Sequence, residues 1–503
     1  MNTSMPIRHF LFSAMRIFVM LAAVSSLSAQ NVTDALRYSF FEYGGTARFT
    51  GLGGAMSAIG ADLSTASTNP AGIAWIQNSE YTITPGLLNT TTQSRLLDGL
   101  DAPLLEDQRG TFNIQNLGMV FVSKPQTGKW RGANFAITFN HLGNFNREFS
   151  FEGVSYGSLT QRYKELANSG LGLDDYETSL ANDASAIYDF EDDGVFEIDY
   201  DIPTQTPYLF KEQFGTTRGS MSELGFTLGA NYDDKVMFGF SVGVPFFSFT
   251  SDKTYQEEDD TNIPNGGAIP YFSDLQLREE LVTTGGGVNA KFGIILRPHQ
   301  HFRIGAAVHT PTVYTLNDDY ETTLTYNYYE DAKEEGAFLG KTSNSPGNFE
   351  YRLNTPWRVM GGVGIFLGSY GFLSGEVEFV DYSKSGFRYD GFEDAENAVN
   401  RTIRDELGDV LNVRVGGEIA YDIFRFRAGL NRLPSPYLND DSSRFILSGG
   451  MGLRMNKFYL DFAYRHTKQE ERYYPYLTDK APIQEVLSEF STGSLLMTMG
   501  FKF

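Results

Sequence analysis

The chain has no cysteine, which excludes disulfides, thiolate-bound zinc and cysteine nucleophiles, although this alone does not fix a compartment. It is also short of base. Lys and Arg number 40 against 62 Asp and Glu, giving a net charge of −22, and phosphate binding wants a basic face, so nucleic acid is not an expected partner. There are only six histidines. After residue 30 no apolar run approaches the roughly 18 residues that a membrane-spanning helix needs. What the chain does have is aromatic and small: 41 Phe, 28 Tyr and 52 Gly in 503 residues.

The first residues read as a secretory signal, residues 1–29. Arg8 and Arg16 precede the apolar run Ile17 to Val24, which is too short to span comfortably, and small residues follow up to Ala29. An exported chain without a membrane helix is either a soluble protein or a membrane barrel. The next stretch, residues 30–78, is dominated by Gly44 to Trp75, which holds seven glycines and an Asn69-Pro70-Ala71-Gly72 turn. Glycine permits positive φ and close backbone approach, while proline fixes φ and removes a donor. The stretch is either a flexible linker or a compact plug inside something larger.

Residues 79–503 supply something to plug. In Asn134 to Asn140, Val413 to Tyr421, Phe424 to Asn431 and Phe458 to Arg465, apolar and polar residues alternate with period two, which places one set on each face of a strand. About fourteen such strands begin near residues 80, 112, 131, 221, 235, 276, 301, 348, 370, 409, 424, 443, 457 and 490. Long links, the longest near 143–220, alternate with short ones such as Asp233-Asp234 and Gly368-Ser369. That alternation predicts an all-β, antiparallel up-and-down transmembrane β-barrel with long extracellular loops and short periplasmic turns. The last strand puts Leu495, Met497, Met499, Phe501 and Phe503 on one face. Its terminal Phe503 resembles the signal by which the outer-membrane barrel assembly machinery takes up its clients. The expected location is the outer membrane of a Gram-negative bacterium, and the expected state is a monomer.

Little in the sequence suggests chemistry. His9 falls in the signal, His299 and His301 in a periplasmic turn, and His141 and His466 carry the outward parity of their strands; only His309 has inward parity. One inward histidine is far from a catalytic triad or a metal site, so neither an enzyme nor a cofactor is expected. The acidic loop Asp189 to Asp201 holds seven acids, and its first residues mimic a calcium loop, but Tyr200 stands where the bidentate Glu belongs; a smaller acidic cluster spans Glu330 to Glu335. Such loops would lie beside lipopolysaccharide. The candidate lumen charges by parity are Glu376, Glu378, Arg414, Glu418, Arg425, Arg427, Asp461 and Arg465. They either pair to stabilise a wet lumen, contact a substrate, or hold the plug.

Several segments, in this order, resemble the FadL/TodX family of outer-membrane transporters of long-chain fatty acids and aromatic hydrocarbons. They are GLGGAMSAIGADLSTASTNPAGIAW, KFGIILRPHQHFRIGAAVHTPTVYTLNDDY, TPWRVMGGVG, EVEFVDYSK, NVRVGGE, FRFRAGLNRLPSP, LDFAYR and the terminal MGFKF. The resemblance implies a fourteen-stranded barrel whose N-terminal hatch blocks the lumen, with Asn69, Pro70 and Ala71 as the hatch signature. It also implies a hydrophobic ligand such as a fatty acid, extracellular apolar pockets, hatch rearrangement and a lateral exit through the wall. Gly132 and Gly143, flanking the third strand, are the candidate wall kinks. The alternative reading is a barrel that has lost transport and serves as a docking or structural partner in surface-protein export. A third, porphyrin binding, finds no convincing ligand.

Overall fold

The computed structural model describes residues 31–125, 128–170, 172–330, 338–480 and 483–503. The signal segment 1–29 and most of the acidic cluster at 330–335 lie outside these residues.

One antiparallel sheet of eighteen strands makes up most of the described structure. The strands are Glu80–Leu96 (β1), Leu105–Ser123 (β2), Trp130–Asn144 (β3), Arg147–Tyr156 (β4), Tyr208–Tyr232 (β5), Val236–Glu258 (β6), Phe272–His299 (β7), Phe302–His309 (β8) and Val313–Tyr329 (β9). They continue as Phe338–Asn354 (β10), Arg358–Phe366 (β11), Gly371–Asp381 (β12), Gly386–Arg388 (β13), Asp409–Tyr421 (β14), Phe424–Pro434 (β15), Ser443–Arg454 (β16), Phe458–Tyr473 (β17) and Val486–Lys502 (β18). Four pairs are collinear halves of single staves. β3 and β4 both pair with β5, and β8 and β9 both pair with β7. β10 and β11 pair with β9 and β8, while β13 and β12 pair with β10 and β11. The eighteen strands therefore form fourteen staves, and β1 pairs with β18 to close the barrel.

The interruptions have local causes. Pro311 sits between β8 and β9 and Pro356 between β10 and β11, each removing a ladder donor. The neighbouring staves stay joined there by Thr312 N–H to Thr355 Oγ1 and Thr355 N–H to Thr312 O, at 2.9 and 3.0 Å. The β5–β6 link is the two-residue turn Asp233-Asp234, with φ of 56° and 53°, as a type I′ hairpin turn requires.

Outward positions carry an exposed apolar belt, including Phe226, Leu228, Phe238, Phe292, Ile304, Val363, Phe379, Val415, Phe426, Met451, Phe462 and Leu495. Inward positions between them are mostly polar or glycine, the pattern of a lipid-facing barrel. Several strands run further than the alternation predicts. β5 starts at Tyr208 rather than near 221, and β10 at Phe338 rather than near 348. In β10 the added residues Gly340 to Asn348 are polar or small and carry no apolar alternation; the backbone ladder to β9 holds them. The longest link also contains the helices Leu159–Ala167 and Thr178–Asp183.

The N-terminal segment 31–76 lies within the ring of staves. It comprises the helix Val32–Ser39, a short helix Ala47–Gly51 and two 3-10 turns, Leu63–Ser67 and Pro70–Trp75. A capping box between Asn31 and Asp34 starts the first helix, the Asp62 side chain caps Leu63–Ser67, and Asn69 caps Pro70–Trp75 with Pro70 in its first turn. These short elements touch staves on two sides of the ring, β2, β3, β5, β6 and β7 on one and β15, β16, β17 and β18 on the other.

Candidate functional site

The wall makes room for the inner segment by omitting side chains. At Gly229 an added Cβ would stand 2.8 Å from the Ala74 nitrogen, and at Gly239 it would overlap the Pro70–Ala71 peptide. Gly305 and Gly362 face Ser57, Gly416 faces Leu52, Gly429 faces Gly53, and Gly293 faces the Asn69 amide. These seven glycines sit on seven different staves, so the segment rests on bare backbone along half of the barrel's fourteen staves. A close approach of this kind is what a glycine inside a strand supplies.

Asn69 is the joint of this seat and is fully buried. Its Oδ1 accepts the Ala71 N–H at 3.1 Å, and its Nδ2 donates to Ser57 O at 2.6 Å and to Ile294 O of β7 at 3.3 Å. One side chain thus ties the Asn69-Pro70-Ala71 turn to another inner loop and to the wall. Nearby, His309 Nε2 bonds Thr68 O at 2.6 Å. The Arg303 guanidinium lies 3.9 Å from the Trp75 ring centroid and donates to Ile59 O at 2.6 Å.

The lumen charges form separate clusters, each reaching the inner segment. Arg414 bridges Glu376 and Glu378 at 2.9 and 2.5 Å, Arg358 bonds Glu378 at 3.1 Å, and Glu376 accepts the Ser57 N–H at 3.0 Å. Arg427 bridges Glu418 and Asp461, both at 2.7 Å, Arg454 bonds Asp461 at 2.8 Å, and Arg48 of the inner segment meets Glu418 at 3.4 Å. Lys291 pairs with Glu223, which accepts from Ser67 Oγ at 3.1 Å. Arg465 meets Glu42 of the inner segment at 3.5 Å, beside Arg444 at 2.5 Å. Of the parity-derived charges only Arg425 stands apart: at the rim it turns back on its own hairpin and donates to the Asp422 and Phe424 carbonyls. Sequence reading missed Arg358, Glu223, Lys291, Glu42 and Arg444. Parity of β5, β7, β11 and β16 was the signal available for four of them, and Glu42 lies in no strand.

Above this seat the lumen turns apolar. Val32, Ala35, Tyr38 and Phe41 pack among inward-facing Phe247, Phe249, Tyr314, Leu316, Tyr351, Tyr382 and Phe387, with Val399 and Ile403 of the helix Glu393–Glu406. Tyr38 stacks on Phe247 with centroids 4.4 Å apart. Two clefts remain. One, a narrow cleft of about 40 Å³, is lined by Phe41, Phe49, Leu433, Ile446, Arg414 and Arg465; the other, also about 40 Å³, by Leu88, Arg147, Arg444, Arg465, Gln469 and Phe490. Glu42 borders both. The acidic loop is engaged with its own backbone, since Asp189 accepts from the Asp193 and Gly194 N–H groups at 3.1 and 2.8 Å.

The wall is uneven at β3. Its ladder to β2 ends at Asn116↔Asn140, whereas its ladder to β5 continues to Asn144 and shifts register between Trp130 and Gly132 and between His141 and Gly143. Glycine is not what these shifts demand. A Cβ at Gly132 or Gly143 would meet nothing closer than 3.6 Å, and neither has positive φ. The shift at 141–143 does overturn the outward parity of His141. Asn140 to Gly143 are all buried, His141 O accepts the Gly44 N–H at 2.8 Å, and its ring faces Asn113 at 3.5 Å. An inserted residue flips every side chain beyond it, which is why period-two counting fails there. His466 keeps its place on the outer face, stacked near Tyr464.

A closed fourteen-stave barrel with an apolar outer belt and a folded segment inside is an outer-membrane architecture. No family model matches the chain, and no curated protein matches it. Solved structures do. A FadL homologue from Pseudomonas aeruginosa aligns over 92% of this chain and 100% of its own, with a TM-score of 0.55 and 14% identity. The toluene transporter TbuX of Ralstonia pickettii aligns over 92% and 98%, with a TM-score of 0.51 and 13% identity. At these identities the likeness is one of fold.

Proposed function

We propose that the barrel is a passive outer-membrane channel for uptake of hydrophobic small molecules, long-chain fatty acids among them. The observation that carries this reading is the aromatic lining of the upper lumen. Inward residues of a membrane barrel are ordinarily polar, yet Phe247, Tyr314, Tyr351, Tyr382 and Phe387 are inward and buried. A chamber of this kind lowers the barrier to an acyl chain by about 0.8 kcal/mol per CH₂ buried. The two solved barrels of the same fold, one a FadL homologue and one described as a toluene transporter, are in keeping with it.

In this reading residues 30–78 act as a hatch, and Asn69-Pro70-Ala71 is its hinge. The lower lumen is sealed by charge clusters, so passage requires the hatch to move. The exit is lateral, through the wall between β2 and β3, where the ladder ends at Asn140 and an opening strands the fewest backbone groups. The ligand enters the extracellular chamber, displaces packed aromatic side chains, and leaves beside Gly143. The bulges at Gly132 and Gly143 weaken this stave by breaking its register.

The test is uptake of radiolabelled palmitate by a strain lacking the gene, with and without the gene restored, together with mass spectrometry of lipids retained by the purified barrel. Gene-dependent uptake and a retained lipid are expected. Unchanged uptake with no retained lipid would refute transport and favour the docking role.

A further inference from the structure

Resting on that reading, we infer that Glu42 is an internal stand-in for a ligand's carboxylate, and that an incoming fatty acid displaces it from an arginine site on β16 and β17. The sequence around it is Phe40-Phe41-Glu42-Tyr43, an apolar stretch bearing one carboxylate. Its Oε1 accepts from Arg444 at 2.5 Å and its Oε2 from Arg465 at 3.5 Å. Arg444 Nη1 also donates to Gln469 at 3.1 Å, while its Nη2 is buried without an acceptor among the described residues. A third arginine, Arg147, lines the same cleft; it bonds Glu471 at 2.8 Å and lies over the Phe490 ring at 4.5 Å. Three guanidinium groups thus face two carboxylates, and one donor is unspent. Guanidinium groups bind carboxylates with two parallel hydrogen bonds when geometry allows, and the longer Arg465 contact leaves that arrangement unfilled.

The position of Glu42 gives displacement a consequence. Its side chain and that of Arg465 border both clefts, so the Glu42–Arg465 pair is the partition between them. Moving Glu42 aside would join the two narrow clefts into one continuous space. One part would have apolar walls from Phe41, Phe49, Leu433 and Ile446, with the arginines beside it. The backbone is engaged as well. Glu42 N–H donates to Leu142 O and Gly44 N–H to His141 O, both at 2.8 Å, on the part of β3 that β2 leaves unpaired. A carboxylate that takes the arginines therefore loosens the segment covering the weak point of the wall. An uncharged hydrocarbon of equal length lacks that lever.

The test uses the full-length barrel in a non-ionic detergent and compares palmitate with hexadecanol, which has the same chain and no charge. In Glu42→Gln the internal competitor is gone, and palmitate should bind at least about fivefold more tightly while hexadecanol changes little, because a competing closed state reduces apparent affinity by its population. In the Arg444→Gln/Arg465→Gln variant the preference for palmitate over hexadecanol should disappear. Heat-modifiable mobility on gels establishes that each variant is a folded barrel, and Glu42→Asp, a shorter carboxylate, should fall between wild type and Glu42→Gln. Equal shifts for both amphiphiles, or none for either, would overturn the inference while leaving transport standing. Failure of the wild-type protein to bind either amphiphile would end the transport reading and the inference with it.

Discussion

Asn69→Ala tests whether the inner segment is held by its joint. The substitution removes three hydrogen bonds and fills nothing in return. The Ala71 N–H loses its cap, worth about 1 kcal/mol. Ser57 O loses a 2.6 Å bond while buried, at about 1–3 kcal/mol. The 3.3 Å contact to Ile294 O is weak and adds little. The seat should therefore weaken by about 2–4 kcal/mol, which shifts the balance between seated and released states by roughly 30- to 700-fold. The β1–β18 closure and the outer belt are untouched, so the barrel should still assemble and keep its heat-modifiable mobility. Hydrogen exchange of peptides within 57–75, read by mass spectrometry, should accelerate by that factor while peptides of β5 and β6 stay protected. The companion variant Gly293→Ala acts from the other side, since its new methyl group would overlap the Asn69 amide. Each single change should unseat the segment, yet the double variant should cost less than the two added together, because alanine at 69 vacates the space the methyl group needs. Unchanged exchange in Asn69→Ala, or strict additivity in the double variant, would refute the assignment of Asn69 as the joint.

Three other outcomes follow from the same geometry. Arg414→Met should destabilise the barrel by about 3–5 kcal/mol in thermal or denaturant unfolding, since it leaves Glu376 and Glu378 buried without their bridging cation, whereas Glu376→Gln should cost less. Gly143→Ala should leave assembly and stability within about 0.5 kcal/mol of wild type, as a Cβ there meets only Met221 at 3.7 Å. In the extracellular cap, burial raises the Asp199 carboxyl above the usual carboxylate range, against the opposing hydrogen bonds from Tyr326 and Tyr188. A raised folded-state value means the folded loop holds its proton more tightly than the unfolded one, so its contribution is full at low pH and lost as pH rises through the raised value. Protease cleavage within 157–207 should therefore increase in wild type as pH rises above the usual carboxylate range, and Asp199→Asn should flatten that dependence.

The barrel was legible because its signal is distributed. Fourteen weak alternations and the rhythm of long and short links add up, and most strand starts expected from them fall within a few residues of those found, as at Glu80, Trp130, Val236 and Phe458. What failed did so where period-two counting has no purchase. The upper part of β10 is exposed or half-buried on both faces, and His141 sits at a register shift that no residue type announces. The lumen charges were legible by parity, but their partners were not, because Arg358 meets Glu378 across twenty residues and Arg444 meets Glu42 across 402.

The seat of the inner segment was written in the strands all along, in residues that alternation treats as blanks. Gly229, Gly239, Gly293, Gly305, Gly362, Gly416 and Gly429 all occupy inward positions, one to a stave, and glycine weakens a strand for want of a side chain to pack. A wet lumen gives no reason to omit a Cβ on so many staves; polar side chains would serve it better. Seven inward glycines on seven staves are explained if another backbone passes there, and Gly44 to Trp75, itself rich in glycine and small residues, is the backbone that fits. The two compositions are therefore one feature seen from both sides: the plug is thin where the wall is bare. It follows that the seat tolerates bulk on neither partner. Alanine at Gly239, which would strike the Pro70–Ala71 peptide itself rather than a movable side chain, should release the segment more completely than alanine at Gly293. Hydrogen exchange of 57–75 in the two variants gives the order, and the reverse order would show that side-chain contacts rather than backbone proximity hold the plug.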